Sequence, residues 1–412
     1  MRMDLGRFPC SGAKQCIRTL FAYEDRRNTP AHVVYKKHSY LGCNSFFSQR
    51  MNPARILSNC LILFCLSLVF SGAAQAQEAV PWKDVLSQSP SWYGSEEALR
   101  IAENILLHQK QNGGWYKNID MAAPITDTER SALIAEKSEC MGTTLDNGAG
   151  FVQIDYLARV YQQTGGDRWK EAALAGIDYL LAAQYRNGGW PQYYPLREGY
   201  YSRITFNDNA MIAAMNLLRA VAKKDPLYAF AGNRRRKKAK QAIDKGLDVI
   251  LASQIRVNGQ LTAWCAQIDE EDLSPAQARA YELPSTSGSE SVGIVRYLMQ
   301  LERPNEAVIQ AIESAVRWFR EVQLENIRLE RVENADLPRG YDRVVVPDPD
   351  AEPLWARFYE IGTNRPIFVG RDSVVRYALA EIEHERRVGY SYLGAYAREL
   401  LATDYPQWKA GR

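Results

Sequence analysis

A helix-ending device that recurs along the chain constrains its fold more than any other feature. Tyr179-Leu180-Leu181-Ala182-Ala183-Gln184-Tyr185-Arg186-Asn187-Gly188-Gly189-Trp190 reads as an apolar helix, a Gln, a Gly turn and a Trp. Gln109-Lys110-Gln111-Asn112-Gly113-Gly114-Trp115 repeats it, and Gln254-Ile255-Arg256-Val257-Asn258-Gly259 leading into Thr262-Ala263-Trp264 is a degraded third copy. A spacing of roughly 70 to 75 residues leaves room for two helices and their connections. Helical hairpins packed side by side around a shared centre satisfy it. The expected class is therefore all-α: an α/α toroid, a barrel of helical hairpins with a few short irregular strands. Such a ring exposes its central face to extended ligands.

Residues 1–50 carry Arg26-Arg27, Lys36-Lys37 and three Cys but no helical or strand period. They read as a disordered start-site artefact ahead of a true start at Met51. Met51-Asn52-Pro53-Ala54-Arg55 is a positive n-region, Ile56 to Phe70 an apolar h-region, and Ala74-Gln75-Ala76 a small-x-small cleavage site. Residues 51–76 thus read as a signal peptide, and 77–412 as one working domain that is secreted, extracellular or periplasmic, without a membrane attachment and monomeric. Of the 51 Lys+Arg, 10 lie in residues 1–76, as do 3 of the 48 Asp+Glu, leaving 41 against 45. The remaining net charge of about −4 removes any argument for nucleic acid from the whole-chain value of +3. An anionic ligand would need a local Arg cluster. Only His108 and His384 follow residue 76, too few for a His-rich zinc site. Cys140 and Cys265 could form one disulfide or stay as two thiols.

Apolar periodicity places helices at 95–111, 128–137, 146–163, 169–185, 208–222, 234–251, 287–301, 306–323, 372–384 and 393–401. The basic run Arg234-Arg235-Arg236-Lys237-Lys238 reads as a solvated helix start. Region 325–371 is long, irregular and rich in Pro and Arg, with short strand signals at 343–346 and 366–369. A structureless stretch of that length inside a compact domain is usually functional.

Four constellations could carry chemistry. Thr144-Leu145-Asp146-Asn147-Gly148 and Thr205-Phe206-Asn207-Asp208-Asn209-Ala210 each set Asp-Asn before an apolar helix. Either Asp alone is an ordinary N-cap; together they suit a hard cation that takes oxygen ligands. In the run 276–290, Ser287 and Glu290 form a capping box, which leaves Arg279 unexplained. Trp355-Ala356-Arg357-Phe358-Tyr359 and Gly370-Arg371-Asp372-Ser373 offer two Arg forks, which suit carboxylates but also ordinary ion pairs. Gly114-Trp115-Tyr116-Lys117-Asn118 adds a cation after the first Trp.

The motifs Gly113-Gly114-Trp115-Tyr116-Lys117-Asn118, Thr144-Leu145-Asp146-Asn147, Phe206-Asn207-Asp208-Asn209, Arg279-Ala280-Tyr281-Glu282-Leu283-Pro284-Ser285 and the Arg357/Arg371 block together resemble the pectate lyases of polysaccharide lyase family 10. The resemblance runs in one order over nearly all of residues 85–410; Tyr116 stands where the family pattern would place Pro. It implies an α/α toroid that cleaves polygalacturonate, de-esterified pectin, by β-elimination with Ca²⁺. It implies Asp146 and Asp208 as calcium ligands, Arg279 as catalytic base, and Arg357, Arg371, Lys117, Asn147 and Asn209 as substrate-binding residues. An Arg base must lose a proton it normally keeps, so cationic neighbours are expected to lower its pKa and give an alkaline optimum.

Two other classes compete. Tyr179-Leu180-x3-Gln184-x3-Gly188-x-Trp190 also resembles the Gln-Trp motif of terpene cyclases. Their Asp-rich signatures are absent, and Asp269-Glu270-Glu271-Asp272 does not fit them, so the motif is better read as a tie between helices. A glycoside hydrolase on uronate polysaccharide could use Asp146 and Asp208 as its carboxylate pair. A non-catalytic oligogalacturonate-binding protein would bind and release its ligand unchanged.

Overall fold

The structure, a computed structural model, describes residues 80–412. The start-site and signal-peptide readings fall on residues 1–76, outside the described residues.

The Gln of the repeat is what joins one helix to the next. Helix α1 (Glu96–His108) is followed by α2 (Asp127–Ala135), α3 (Phe151–Thr164), α4 (Asp167–Ala183), α5 (Ala210–Ala222), α6 (Gly232–Ala252), α7 (Glu290–Met299) and α8 (Glu306–Glu321). Gln109, after α1, donates from Nε2 to the Gly113 carbonyl at 3.0 Å and to the Ala172 carbonyl of α4 at 2.9 Å. Gln184, after α4, makes the same pair with Gly188 and with Ala242 of α6, both at 2.9 Å. Gln254, after α6, bonds Thr262 at 2.9 Å and Ala311 of α8 at 3.0 Å. One amide thus closes its own turn and fastens it to the next helix, as the reading of a tie predicts. The turn glycine completes the contact. Gly113 (φ +88°) and Gly188 (φ +110°) lie so close to the next helix that a Cβ would meet the Ala175 and Lys245 carbonyl oxygens at 2.3 and 2.4 Å.

The ties build two rows. Helices α1, α4, α6 and α8 form one, and α3, α5 and α7 pack as the other. The Trp of each repeat seals the layer between them. Trp115, Trp190 and Trp264 are fully buried, and each indole N–H donates to the carbonyl four residues before its Gln: Ile105, Leu180 and Ile250, at 2.7–2.9 Å. Burying one such ring supplies roughly 4–6 kcal/mol of gross transfer free energy. The same geometry reveals a fourth copy. Trp355 is buried and donates to the Phe319 carbonyl at 2.8 Å, four residues before Gln323. Here a β-hairpin replaces the Gly turn between Gln and Trp.

The all-α class is corrected by the strands. Helices of all kinds make up about 47% of the described residues, and twelve strands form six antiparallel pairs. In chain order they are β1 (Ile204–Thr205), β2 (Arg256–Val257), β3 (Gln260–Leu261), β4 (Gln267–Ile268), β5 (Thr286–Ser287), β6 (Ile327–Glu333), β7 (Tyr341–Pro347), β8 (Trp355–Ala356), β9 (Phe358–Tyr359), β10 (Phe368–Val369), β11 (Val375–Arg376) and β12 (Leu393–Gly394). Several stitch the turn after one Trp to the turn after the next: β1 pairs β4, β5 pairs β9, and Thr144 bridges Tyr193. A two-residue strand carries no alternation, so periodicity could not register it. The region expected to be irregular holds the β6–β7 hairpin. The helix expected over 372–384 is replaced by β11, a 3₁₀ turn and the short α9 (His384–Gly389); the one expected over 393–401 opens as β12 and is helical only at its end, where a π-helical turn (Leu400–Asp404) runs into α10 (Tyr405–Ala410). No helix of the described residues is long and apolar enough to cross a membrane. Cys140 and Cys265 are both free thiols.

Candidate active site

Every Trp turn follows a helix of the first row and leads towards the second, so the turns share one end of the layers. Their registers match. The amides of Thr144, Thr205 and Ser287 donate to the carbonyls of Trp115, Trp190 and Trp264. The next amides, of Leu145, Phe206 and Gly288, donate to the carbonyls of Gln192, Ala266 and Arg357 in the following repeat. Lys117, Gln192, Ala266 and Arg357 therefore occupy one position, two residues after each Trp. A Cβ on Gly288 would meet the Ala356 carbonyl oxygen at 2.1 Å, so only glycine lets the strand bearing Arg357 approach this closely.

This register corrects the pairing of the two Asp-Asn motifs. Asp146 matches Asn207, and Asn147 matches Asp208, the latter two both left-handed at φ 52° and 51°. Asn and Asp are the non-glycine residues that adopt this conformation most readily. Both motifs form 3₁₀ turns, Asp146–Gly148 and Asn207–Asn209, rather than α-helix starts, and the turns lie side by side with Cα atoms within 8 Å.

At the first turn Asp146 is buried. Its Oδ2 accepts from Gln192 Nε2 at 2.8 Å and from the Lys117 ammonium, while its buried Oδ1 has no partner. Burial opposes the charge of Lys117, but Asp146 outweighs burial and holds the ammonium above its usual range. Asn147 donates to Asn118 Oδ1 at 2.9 Å. Asn209 is exposed and its side chain rests against Gly293 of α7, where a Cβ would meet Oδ1 at 2.1 Å.

Across from it, Arg357 is 11% exposed in its side chain. Its Nη2 donates to Asn207 Oδ1 at 3.0 Å and to the buried Glu290, and lies 3.5 Å from Asp208 Oδ1. Its guanidinium sits 4.8 Å over the Tyr390 ring. Burial opposes its charge, yet Glu290, Tyr390 and Asp208 hold it above the ordinary Arg value. Glu290 thus does more than cap: it accepts from the Ser287 hydroxyl and neutralises Arg357.

Tyr390 links this pair to Arg279. The Tyr390 hydroxyl donates to Glu282 Oε1 at 2.8 Å. Glu282, 6% exposed in its side chain, takes the Nε (2.7 Å) and Nη2 donors of Arg279 in a fork. Nη1 makes no hydrogen bond among the described residues and is the free edge of that guanidinium. Arg279, Arg371 and Arg386 all lie within 6 Å of the Tyr281 ring. Arg371 is itself exposed and forked onto Glu385, whose carboxyl the Arg386 and Arg371 guanidiniums pull down to about 2. The expected depression of Arg279 is reversed in this structure. Burial opposes its charge, but the hydrogen bonds and charge of Glu282 win and hold it above its ordinary value.

The structure brings Asp146, Asp208, Arg357 and Arg279 into one connected neighbourhood, with Lys117 and Asn147 on its first-repeat side and Arg371 on its far side. Sequence reasoning missed Glu282, Gln192, Asn207 and Tyr390. The i,i+3 spacing of Arg279 and Glu282 was a usable signal; Tyr390 had none, lying between two expected helices.

Among the described residues no three His, Cys, Asp or Glu side chains gather as a metal cage. Two acidic oxygens on adjacent turns, one of them the unpartnered Asp146 Oδ1, nevertheless fit part of a hard-cation shell that ligand oxygens and water would complete.

A family description of pectic acid lyases matches residues 109–401. No curated protein matches the chain. A solved family 10 polysaccharide lyase from Cellvibrio cellulosa is 33% identical with a TM-score of 0.66, over 80% of this chain and 95% of that one. A point mutant of a family 10 polysaccharide lyase from the same organism, in complex with trigalacturonic acid, is 33% identical with a TM-score of 0.66, over 79% and 96%. On the match over residues 109–401 and these identities, the chain belongs to the pectic acid lyase family.

Proposed function

We propose that the protein is a secreted pectate lyase of polysaccharide lyase family 10 that cleaves α-1,4-polygalacturonate by calcium-dependent β-elimination. One observation carries this reading above the others: Arg279 is gripped on two donors by a buried carboxylate and keeps its third nitrogen, Nη1, unbonded among the described residues, against a Tyr281 ring that Arg371 and Arg386 also approach. Secretion rests on residues 51–76. The substrate class is drawn from the trigalacturonic acid bound by the related mutant.

The C5–H of galacturonate is acidic because a carboxylate sits beside it. In its neutral guanidine form Arg279 takes that proton on Nη1 and becomes the guanidinium, the freed electron pair becomes the C4–C5 double bond, and the C4–O bond to the leaving sugar breaks. The leaving oxygen takes a proton from water. Arg357 and Arg371 hold uronate carboxylates and oppose the charge that grows on them, and Lys117, Asn147 and Asn209 line the approach. Asp146 and Asp208 would hold Ca²⁺, which supplies concentrated positive charge for the same carboxylate. Glu282 orients Arg279 and Tyr390 orients Glu282.

The test is ultraviolet absorbance of a 4,5-unsaturated product from de-esterified pectin, with calcium and then with excess chelator. Rising absorbance that stops on chelation is expected. Reducing ends without absorbance would mean a hydrolase, and binding with no product a non-catalytic protein.

A further inference from the structure

We propose that a cavity of about 420 Å³ beside Lys117 is a subsite for an additional uronate residue, so that the protein favours longer oligogalacturonates over trimers. The inference rests on the pectate-lyase reading and adds the direction in which the bound chain is gripped.

Its walls come from three segments. The loop after Trp115 gives Lys117 and Asn118, the first 3₁₀ turn with α3 gives Asn147 and Gln153, and a short turn near the start of the described residues gives Trp82 and Lys83. Lys117 and Asn147 belong to the candidate site already described, so cavity and site are continuous. The volume is within the range of small-ligand pockets. Its chemistry is that of an acidic sugar: an indole for the apolar sugar face, two ammoniums for a carboxylate, and amides for hydroxyls.

Two details favour a ligand over simple packing. Asn118 and Asn147 both hold left-handed backbone (φ 61° and 52°) and share a 2.9 Å amide hydrogen bond at the rim, which fixes two exposed polar side chains where no core needs them. Gln153 is buried, and its Nε2 donor reaches only the weak acceptor Met121 Sδ at 3.8 Å. Trp82 and Lys83 lie in the N-terminal turn, ahead of the residues 109–401 that the family description matches. A free inorganic anion would use the ammoniums but leave the indole without a role.

The test compares kcat/KM on hexagalacturonate and trigalacturonate for the full protein, for Trp82→Ala and for Lys83→Glu, with calorimetric binding of both oligomers in parallel. In both variants the hexamer-to-trimer ratio should fall, about tenfold for Trp82→Ala, mainly through KM on the hexamer. Trp82→Phe should restore most of it. Lys83 is exposed, so its variant keeps the test open if Trp82→Ala fails to fold. An unchanged ratio in Lys83→Glu and in the folded Trp82 variants overturns the subsite and leaves the lyase reading standing. If the protein forms no unsaturated product but binds hexamer more tightly than trimer in a Trp82-dependent way, the subsite stands and the lyase reading falls. Length-independent binding, or displacement of hexamer by inorganic phosphate alone, overturns the subsite.

Discussion

Lys117 and Arg357 occupy the same place in the first and fourth repeats, two residues after a buried Trp, yet their surroundings differ. Lys117 is 28% exposed and meets one carboxylate, whose second oxygen has no partner. Arg357 is 11% exposed, neutralised by buried Glu290, bonded to Asn207, close to Asp208 and stacked on Tyr390. The fourth-repeat side is preorganised; the first-repeat side keeps an unmatched oxygen and opens onto a cavity. On the proposed reading, one end fixes charge where the elimination would build it, and the other leaves valence for a cation and substrate.

Arg357→Ala should break the comparison most severely. It strands Glu290, 3% exposed in its side chain, without its counter-charge, which costs about 3–5 kcal/mol. Denaturant unfolding and initial rates should fall together, whereas Lys117→Ala should cost less stability, because the buried Asp146 keeps the Gln192 amide as a donor.

Arg279→Lys should leave folding nearly intact and lower kcat by about 10²–10⁴ with a small change in KM. Near wild-type kcat in the folded variant would remove Arg279 from the base role. Glu282 holds Arg279 charged, so the neutral fraction grows about tenfold per pH unit below its raised pKa. The pH–rate profile of the wild type should therefore climb on the alkaline side until the fold fails, and a plateau near neutrality would contradict it.

Asp146→Ala and Asp208→Ala should each weaken the response to calcium, Asp146→Ala more, because it removes the unpartnered Oδ1. Calcium titrations of the rate measure this, and a chelator response equal to wild type would end the assignment.

The smallest effect concerns acid stability. Burial raises the Glu282 carboxyl, but Arg279 and Tyr390 outweigh it and the folded pKa lies below the ordinary value. The sign follows: the pair's contribution is complete above the unfolded value of about 4.3 and is lost as pH falls through the lower folded one. Glu282→Gln should flatten stability against pH below about 4.3, and an unchanged acid limb would show that the pair contributes nothing.

Three of the four repeats were legible because Gln, Gly and Trp stand close together in sequence. The fourth was hidden by the β6–β7 hairpin between Gln323 and Trp355, a long-range insertion that no local pattern reports. The site's cations and acids were legible as residues, but not their pairing. Glu290 has two roles, and the capping box accounted for only the local one. Asp146 and Asp208 were matched by residue type, whereas the backbone matches Asp146 with Asn207. Tyr390, which joins Arg357 to Arg279, lies in a segment whose form depends on its docking against the hairpin, where Arg387 forks onto Asp342 and His384 meets the Tyr341 carbonyl at 2.7 Å. Tertiary contacts of that kind override local propensity.

The most direct test is a crystal structure of the protein with calcium and trigalacturonate bound. The account predicts one sugar with its carboxylate on Arg357, a calcium ion touching Asp146 and Asp208, and Arg279 Nη1 facing C5. A trimer seated away from these residues, or Nη1 turned from C5 while Glu282 still grips the other two donors, would contradict it.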